Sequence, residues 1–167
     1  MTDLRTVQAP LKERYRQTPS AALVTLKAEG RVGDGVACSI STGKALIEAG
    51  LHPATGGSGT QACSGDMLLE ALVACAGVTL SAVATSLGIA IEACTLRAEG
   101  DLDFRGTLGV SKDAPVGFKE IRLDIALESS APAEQLKKLL ELTERYCVVL
   151  QTVKGGVPVR ASLRVGA

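Results

Sequence analysis

The chain has 167 residues, enough for one domain with a real hydrophobic core. Lys plus Arg and Asp plus Glu balance at 18 each, which argues against a nucleic-acid or anionic-membrane partner. Aromatic residues make up 2 % and Trp is absent, so the core falls to Leu, Val, Ile and Ala, and base-stacking platforms are not expected.

In chain order, residues 4–17 set Leu4, Val7, Leu11 and Tyr15 at near-helical spacing, with Pro10 expected to open a helical turn. Residues 1–20 read as an amphipathic N-terminal arm and 21–167 as a single domain. Asp3 and Arg5 stand where a signal peptide would be apolar. The partial alternation of 21–29 predicts a strand, 30–35 (Gly-Arg-Val-Gly-Asp-Gly) a turn, 36–42 a second strand and 44–48 a third. Residues 50–64, rich in Gly, Pro, Ser and Thr, read as a loop. A long helix follows, with Ser64 as expected N-cap, Asp66 in the dipole-favoured first turn and Gly88 as its end.

This helix is apolar nearly all round from 71 to 84 and long enough to span a bilayer. Glu70, Thr79, Ser81, Thr85 and Ser86 interrupt it, however, and strand-like segments flank it, so a buried core helix is expected and no membrane association. Residues 89–100, 102–110 and 121–128 predict strands, the last with Ile121, Leu123, Ile125 and Leu127 on one face. A second helix is expected from about 129–132 through 146, aligning Leu136, Leu140, Thr143 and Cys147. Residues 157–165 supply a last strand, with Pro158 placing its start at an edge. The order defines an α+β domain. A helix apolar on every side needs more cover than one chain offers, so a homodimer is expected.

Five cysteines carry most of the chemical interest. With no export signal they are expected as reduced thiols in the cytoplasm. Cys38 and Cys94 fall in predicted strands and read as packing residues. Cys63 sits at the entrance to the long helix, about 18 Å along it from Cys75 and beyond disulfide reach. Cys75 and Cys147 remain, each on an apolar helix, and such thiols are either inert small hydrophobes or, where they meet, a redox pair. Other chemistries are poorly supplied. His52 is the only histidine and lies in a loop; no Cys-x-x-Cys suggests zinc; Gly56-Gly57-Ser58-Gly59 lacks the Gly-Lys-Ser/Thr of a phosphate loop. No cofactor and no metal are expected.

The segment Asp66-Met67-Leu68-Leu69-Glu70-Ala71-Leu72-Val73-Ala74-Cys75, with Val78-Thr79-Leu80, resembles the central helix of the OsmC/Ohr family, the osmotically inducible and organic hydroperoxide resistance proteins. Tyr146-Cys147-Val148-Val149 resembles its second cysteine segment, and the element order agrees over roughly 21–166. The resemblance implies an OsmC-like fold: an antiparallel sheet packed on a long buried central helix and a second helix, in an intertwined homodimer with active sites where the subunits meet. It implies a thiol peroxidase acting on organic hydroperoxides, with Cys75 as the peroxidatic and Cys147 as the resolving cysteine. A dithiol reductant, of which a lipoyl protein is one form, would regenerate the pair.

Arg31 matches the family's turn arginine that stabilises the thiolate, its alternative being an exposed turn residue. Two positions depart from the family pattern. The glutamate that holds this arginine is here Gly65, leaving Asp66 either to replace it or to act only as a helix-dipole partner. The proline after the second cysteine is here Val148. These departures leave a second class open, a non-enzymatic OsmC-like binding or stress-associated protein.

Overall fold

The structure is a computed structural model that describes residues 4–32, 38–40, 49–60, 62–163 and 165–166. Its elements are α1 (Leu4–Gln17), β1 (Leu23–Val32), β2 (Cys38–Ile40), β3 (Ala49–Gly50), β4 (Ala62–Cys63), α2 (Ser64–Leu87), β5 (Ala93–Asp103), α3 (Phe104–Thr107), β6 (Phe118–Glu128), α4 (Ala133–Tyr146) and α5 (Val148–Gly155). Strands β2, β1, β5 and β6, in that order, form one antiparallel sheet; β3 and β4 make a short parallel pair. The α+β expectation is met, with an antiparallel sheet on a long central helix and a second helix.

Alternation along β5 buries Cys94, Leu96 and Ala98 against α2, while Arg97, Glu99 and Asp101 lie on the other face. In β6, Ile121, Leu123, Ile125 and Leu127 pack on the same core. Leu69, Leu72, Val73, Ala76 and Leu80 of α2 are fully enclosed between this sheet and α4. By length and apolarity α2 would pass for a membrane span, and half of its most apolar window is covered by sheet and helices. The helix stops at Gly88 because that residue takes a left-handed φ of 66° and the amide of Ile89 bonds back to the Ala84 carbonyl at 2.9 Å, a conformation cheap only for glycine.

Cover on α2 is incomplete. Leu68, Ala71, Val78 and Ala82 are exposed, and with half-buried Cys75 they run along one stripe of the helix at helical spacing. The all-round enclosure expected of this helix is therefore not supplied among the described residues.

The arm forms as expected but holds Pro10 in its interior rather than at its start. It builds a second small core, in which Tyr15 packs with Ala22, Phe104 and Leu108 and donates its hydroxyl to the Ala54 carbonyl at 2.5 Å. Gln8 donates to the Thr55 carbonyl at 3.0 Å, tying the arm to the loop before α2.

Several expectations are corrected. Of the turn expected at 30–35, residues 30–32 are strand instead, since β1 continues through Val32 and places Arg31 in it, and 33–35 lie outside the described residues. The strand expected at 102–110 ends at Asp103, whose carboxylate accepts from the Arg105 amide at 3.1 Å and from its guanidinium, folding the chain into α3. Cys63, not Ser64, is the N-cap of α2, and Ser64 is its first helical residue. The buried face of α4 is led by Leu139 and Thr143, whereas Leu140 is largely exposed. Residues 157–163 form no strand. The strand expected at 44–48 lies outside the described residues.

Candidate active site

The chain around Cys147 decides the site. Tyr146 ends α4, the Cys147 amide closes it by bonding the Thr143 carbonyl at 2.9 Å, and Cys147 then takes an extended conformation (φ −70°, ψ 105°). A new helix, α5, starts at once, with Cys147 as its N-cap and its first internal bond running from the Gln151 amide to the Cys147 carbonyl at 2.9 Å. Adjacent β-branched Val148 and Val149 propagate a helix poorly, which favours a break here. Gln151 secures the joint by donating its side-chain amide to the Glu144 carbonyl at 2.8 Å. The expectation of Cys147 as the tail of one continuous helix is thus replaced by Cys147 at a joint between two.

This joint leaves the amides of Val148, Val149 and Leu150 without acceptors in their own helix. They find sulfur instead. Burial pushes the Cys75 thiol up, but donation from the Val149 amide, the Cys147 thiol, the Thr79 hydroxyl and the Val148 amide outweighs it and holds Cys75 below the ordinary thiol value. Cys147 goes the other way. It is fully buried, and despite the Leu150 amide, the loss of water and the neighbouring Cys75 push its thiol up to about 11. The two cysteines are in hydrogen-bonding contact and shift in opposite directions: Cys75 holds its proton less tightly than an ordinary thiol and Cys147 more tightly.

The other cysteines stand apart. Cys63, Cys75, Cys94 and Cys147 are all free thiols. Cys94 is buried in β5, as its sequence position led us to expect, and Cys63 lies at the entrance to α2, where it is the N-cap. The side chain of Cys38, in β2, lies outside the described residues.

Two further candidates were Arg31 and Asp66. Arg31 sits in β1 opposite Thr95 of β5 and Ser39 of β2; its side chain lies outside the described residues. Asp66 is in the first turn of α2, about 13 Å along the helix from Cys75. Its carboxyl is pushed up by burial, with the opposite pull coming from His52. His52, unassigned from the sequence, stacks on Phe104 with ring centroids 5.1 Å apart and accepts from the Ala54 amide through Nδ1 at 3.0 Å. Glu70 is also pushed up, by burial and then by Asp66.

Space is available beside Cys147. A cavity of about 320 Å³ is lined by Ala76, Leu123, Ile125, Leu140, Cys147 and Leu150 among others, and a neighbouring one of about 540 Å³ runs past Leu68, Leu72 and Phe118. Glu144 and Lys154 supply charge at the rim of the first. Among the described residues, no group of three His, Cys, Asp or Glu side chains could hold a metal ion.

What the sequence missed was the amide donors. The family resemblance pointed to Arg31 as activator; among the described residues, the groups seen around Cys75 are main-chain N–H groups, a hydroxyl and a thiol. The one available signal was Val148 itself, which has an amide hydrogen that proline would lack.

The antiparallel sheet packed on a long central helix and a second helix is the fold of OsmC-like structures. The family model of OsmC-like protein matches residues 57–162, and the chain belongs to that family. Among solved structures it is similar to an OsmC-like hydroperoxide resistance protein from Jannaschia sp. CCS1, at 20 % identity and a TM-score of 0.62, covering 87 % of this chain and 95 % of that one. It is also similar to an OsmC-like protein from Mycoplasma pneumoniae, at 17 % identity and a TM-score of 0.56, covering 80 % of this chain and 86 % of that one. No curated protein matches it in sequence.

Proposed function

We propose that the protein is a cysteine-based peroxidase that reduces organic hydroperoxides in oxidative stress defence. The observation that carries this reading is the paired thiols with opposite proton affinities, Cys75 lowered and Cys147 raised. A nucleophilic thiolate next to a protonated thiol is what a two-step peroxide reduction needs.

In the first step the Cys75 thiolate attacks the terminal peroxide oxygen and the O–O bond breaks. The departing alkoxide takes the Cys147 proton and leaves as an alcohol, so Cys75 becomes a sulfenic acid and Cys147 a thiolate. In the second step the Cys147 thiolate attacks the Cys75 sulfur. The S–O bond breaks, hydroxide leaves and is protonated by solvent, and a Cys75–Cys147 disulfide forms. A dithiol, for example on a lipoyl protein, restores both thiols by exchange. The apolar cavity beside Cys147 suits the alkyl group of the peroxide or the carbon chain of the reductant.

Arg31 and Asp66 keep supporting roles in this reading: Arg31 as an additional cation favouring the thiolate and Asp66 as its orienting partner. The working form is a homodimer in a reducing cytoplasm. Its support is the uncovered stripe on α2, because Cys75 lies on that stripe and a second subunit would close the site over it.

The test is to treat the reduced protein with one equivalent of an organic hydroperoxide and map the resulting bridge. A Cys75–Cys147 disulfide with Cys38, Cys63 and Cys94 left free, and turnover when a dithiol is supplied, is the expected result. A bridge through Cys63, or undiminished peroxide consumption by Cys75→Ser, overturns the assignment. Absence of any turnover leaves the non-enzymatic reading in its place.

A further inference from the structure

Three threonines inside helices differ in where they send their hydroxyl. Thr85 in α2 donates to the Ser81 carbonyl at 2.8 Å, and Thr143 in α4 donates to the Leu139 carbonyl at 2.8 Å. Both make the back-bond usual for a helix threonine, to the main chain one turn earlier. Thr79 of α2 also finds its partner four residues back, but its hydroxyl donates to the sulfur of Cys75. Over four residues a helix rises about 6 Å and returns to the same face, so Thr79 stands beside the thiol on one side of α2.

The groups around Cys75 differ in what they can offer a substrate. The Val148 and Val149 amides only donate, and the Cys147 thiol is a poor acceptor that holds the proton for the leaving oxygen. A hydroxyl has two lone pairs besides its proton, so Thr79 can accept while it donates. Its place suits that use. Ala71, Val78 and Ala82 are exposed on α2, Cys75 and Thr79 are half-buried among them, and Cys147 is fully enclosed. With α5 and Cys147 occupying one side of the sulfur, the side that a peroxide has left to approach from is the one that carries Thr79.

A hydroperoxide, R–O–O–H, bears its proton on the oxygen under attack. Displacement needs the sulfur in line with the O–O bond, so that proton has to be held to one side. We propose that Thr79 is a catalytic residue whose hydroxyl donates to the Cys75 thiolate and accepts from the O–H of the hydroperoxide, setting the terminal oxygen in front of the sulfur. This rests on the peroxidase reading and adds to it a group that touches the substrate. As the S–O bond forms and the O–O bond breaks, the electron pair leaves with the alkoxide, which takes the Cys147 proton. The proton on the terminal oxygen stays there and becomes the O–H of the Cys75 sulfenic acid, still donated to Thr79. An electrophile without an O–H gains nothing from this contact.

The experiment measures first-turnover rates of the reduced full-length protein, Thr79→Val and Thr79→Ser with tert-butyl hydroperoxide and, separately, with iodoacetamide. Each rate is divided by the fraction of thiolate, read from its ultraviolet absorbance. Thr79 is half-buried and valine has nearly its shape, so the fold should tolerate either change. Losing a donor leaves a more basic and intrinsically more nucleophilic thiolate, so the iodoacetamide rate per thiolate should hold or rise slightly in Thr79→Val. The hydroperoxide rate per thiolate should instead fall about two- to tenfold, the worth of one neutral hydrogen bond, and Thr79→Ser should recover most of it. If both rates move together in Thr79→Val, or if serine leaves the deficit in place, Thr79 does not touch the substrate and the proposal is overturned with the peroxidase reading intact. If the unaltered protein reacts with iodoacetamide and not with the hydroperoxide, the peroxidase reading falls and the role of Thr79 falls with it.

Discussion

Two helices in this molecule begin on a cysteine, and the contrast between them shows where reactivity comes from. At α2 the N-cap is Cys63, and the ionisable group in the first turn is a carboxylate on the same helix, Asp66, pushed up by burial with His52 pulling the other way. At α5 the N-cap is Cys147, and the first-turn amides of Val148 and Val149 point instead at a sulfur carried by another helix, Cys75. Both ends have the same positive dipole. Only the second delivers it to a nucleophile, because tertiary packing has brought a thiol from α2 to the opening of α5.

The sharpest way to break this comparison is Cys147→Ser. If Cys147 both holds the proton for the leaving alkoxide and closes the disulfide, the variant should turn over once, stall at a Cys75 sulfenic acid and be over-oxidised by excess peroxide, all of which intact mass measurement resolves. Steady turnover in this variant would separate Cys147 from the chemistry.

Next in size is Val148→Pro. Proline is well tolerated at the first position of a helix, so α5 should persist while one donor to Cys75 is lost. A hydrogen bond to a charged group contributes about 1.5–3 kcal/mol, so the Cys75 pKa should rise by about one to two units and alkylation at neutral pH slow by about ten- to a hundredfold. Arg31→Met, measured beside it, weighs the two activators. If the amides dominate, Arg31→Met should raise the thiol pKa less than Val148→Pro does, and Asp66→Asn less again. The reverse order would return the leading role to Arg31.

The smallest expected effect concerns stability against pH. Cys147 keeps its proton in the folded protein to about 11, whereas the unfolded thiol loses it near 9. Between those values the unfolded state binds fewer protons, so the reduced protein should lose stability as pH rises from about 9 toward about 11. The disulfide form has no such proton to lose and should decline less over that window, which urea titrations of the two forms would register.

Much of this architecture was legible in the sequence because it rests on local patterns. The period of two in β6, the apolar run of α2 and Gly88 at its end each forecast an element that forms. Long-range effects were harder to read. The strand expected at 102–110 fails at Asp103, because a buried carboxylate and Arg105 fold the chain into α3, and Phe104 goes to a core built by the N-terminal arm. The pair Cys75 and Cys147 was identified through their helices and a family resemblance, while the amides that lower Cys75 depend on where α4 stops, a tertiary decision. The open stripe on α2 was foreseen only as a need for cover.

The joint at Cys147 also bears on how such a protein can diverge. A guanidinium or imidazole activator is lost with a single codon, but a main-chain amide is present at every residue type except proline. So long as the chain breaks at this point, nearly any pair of residues after the cysteine can offer the same donors. Neutral drift can then rewrite the side chains around the thiols and leave the lowered proton affinity of Cys75 almost untouched. A property encoded in this way is inherited as a place where a helix ends, with no residue signature to mark it.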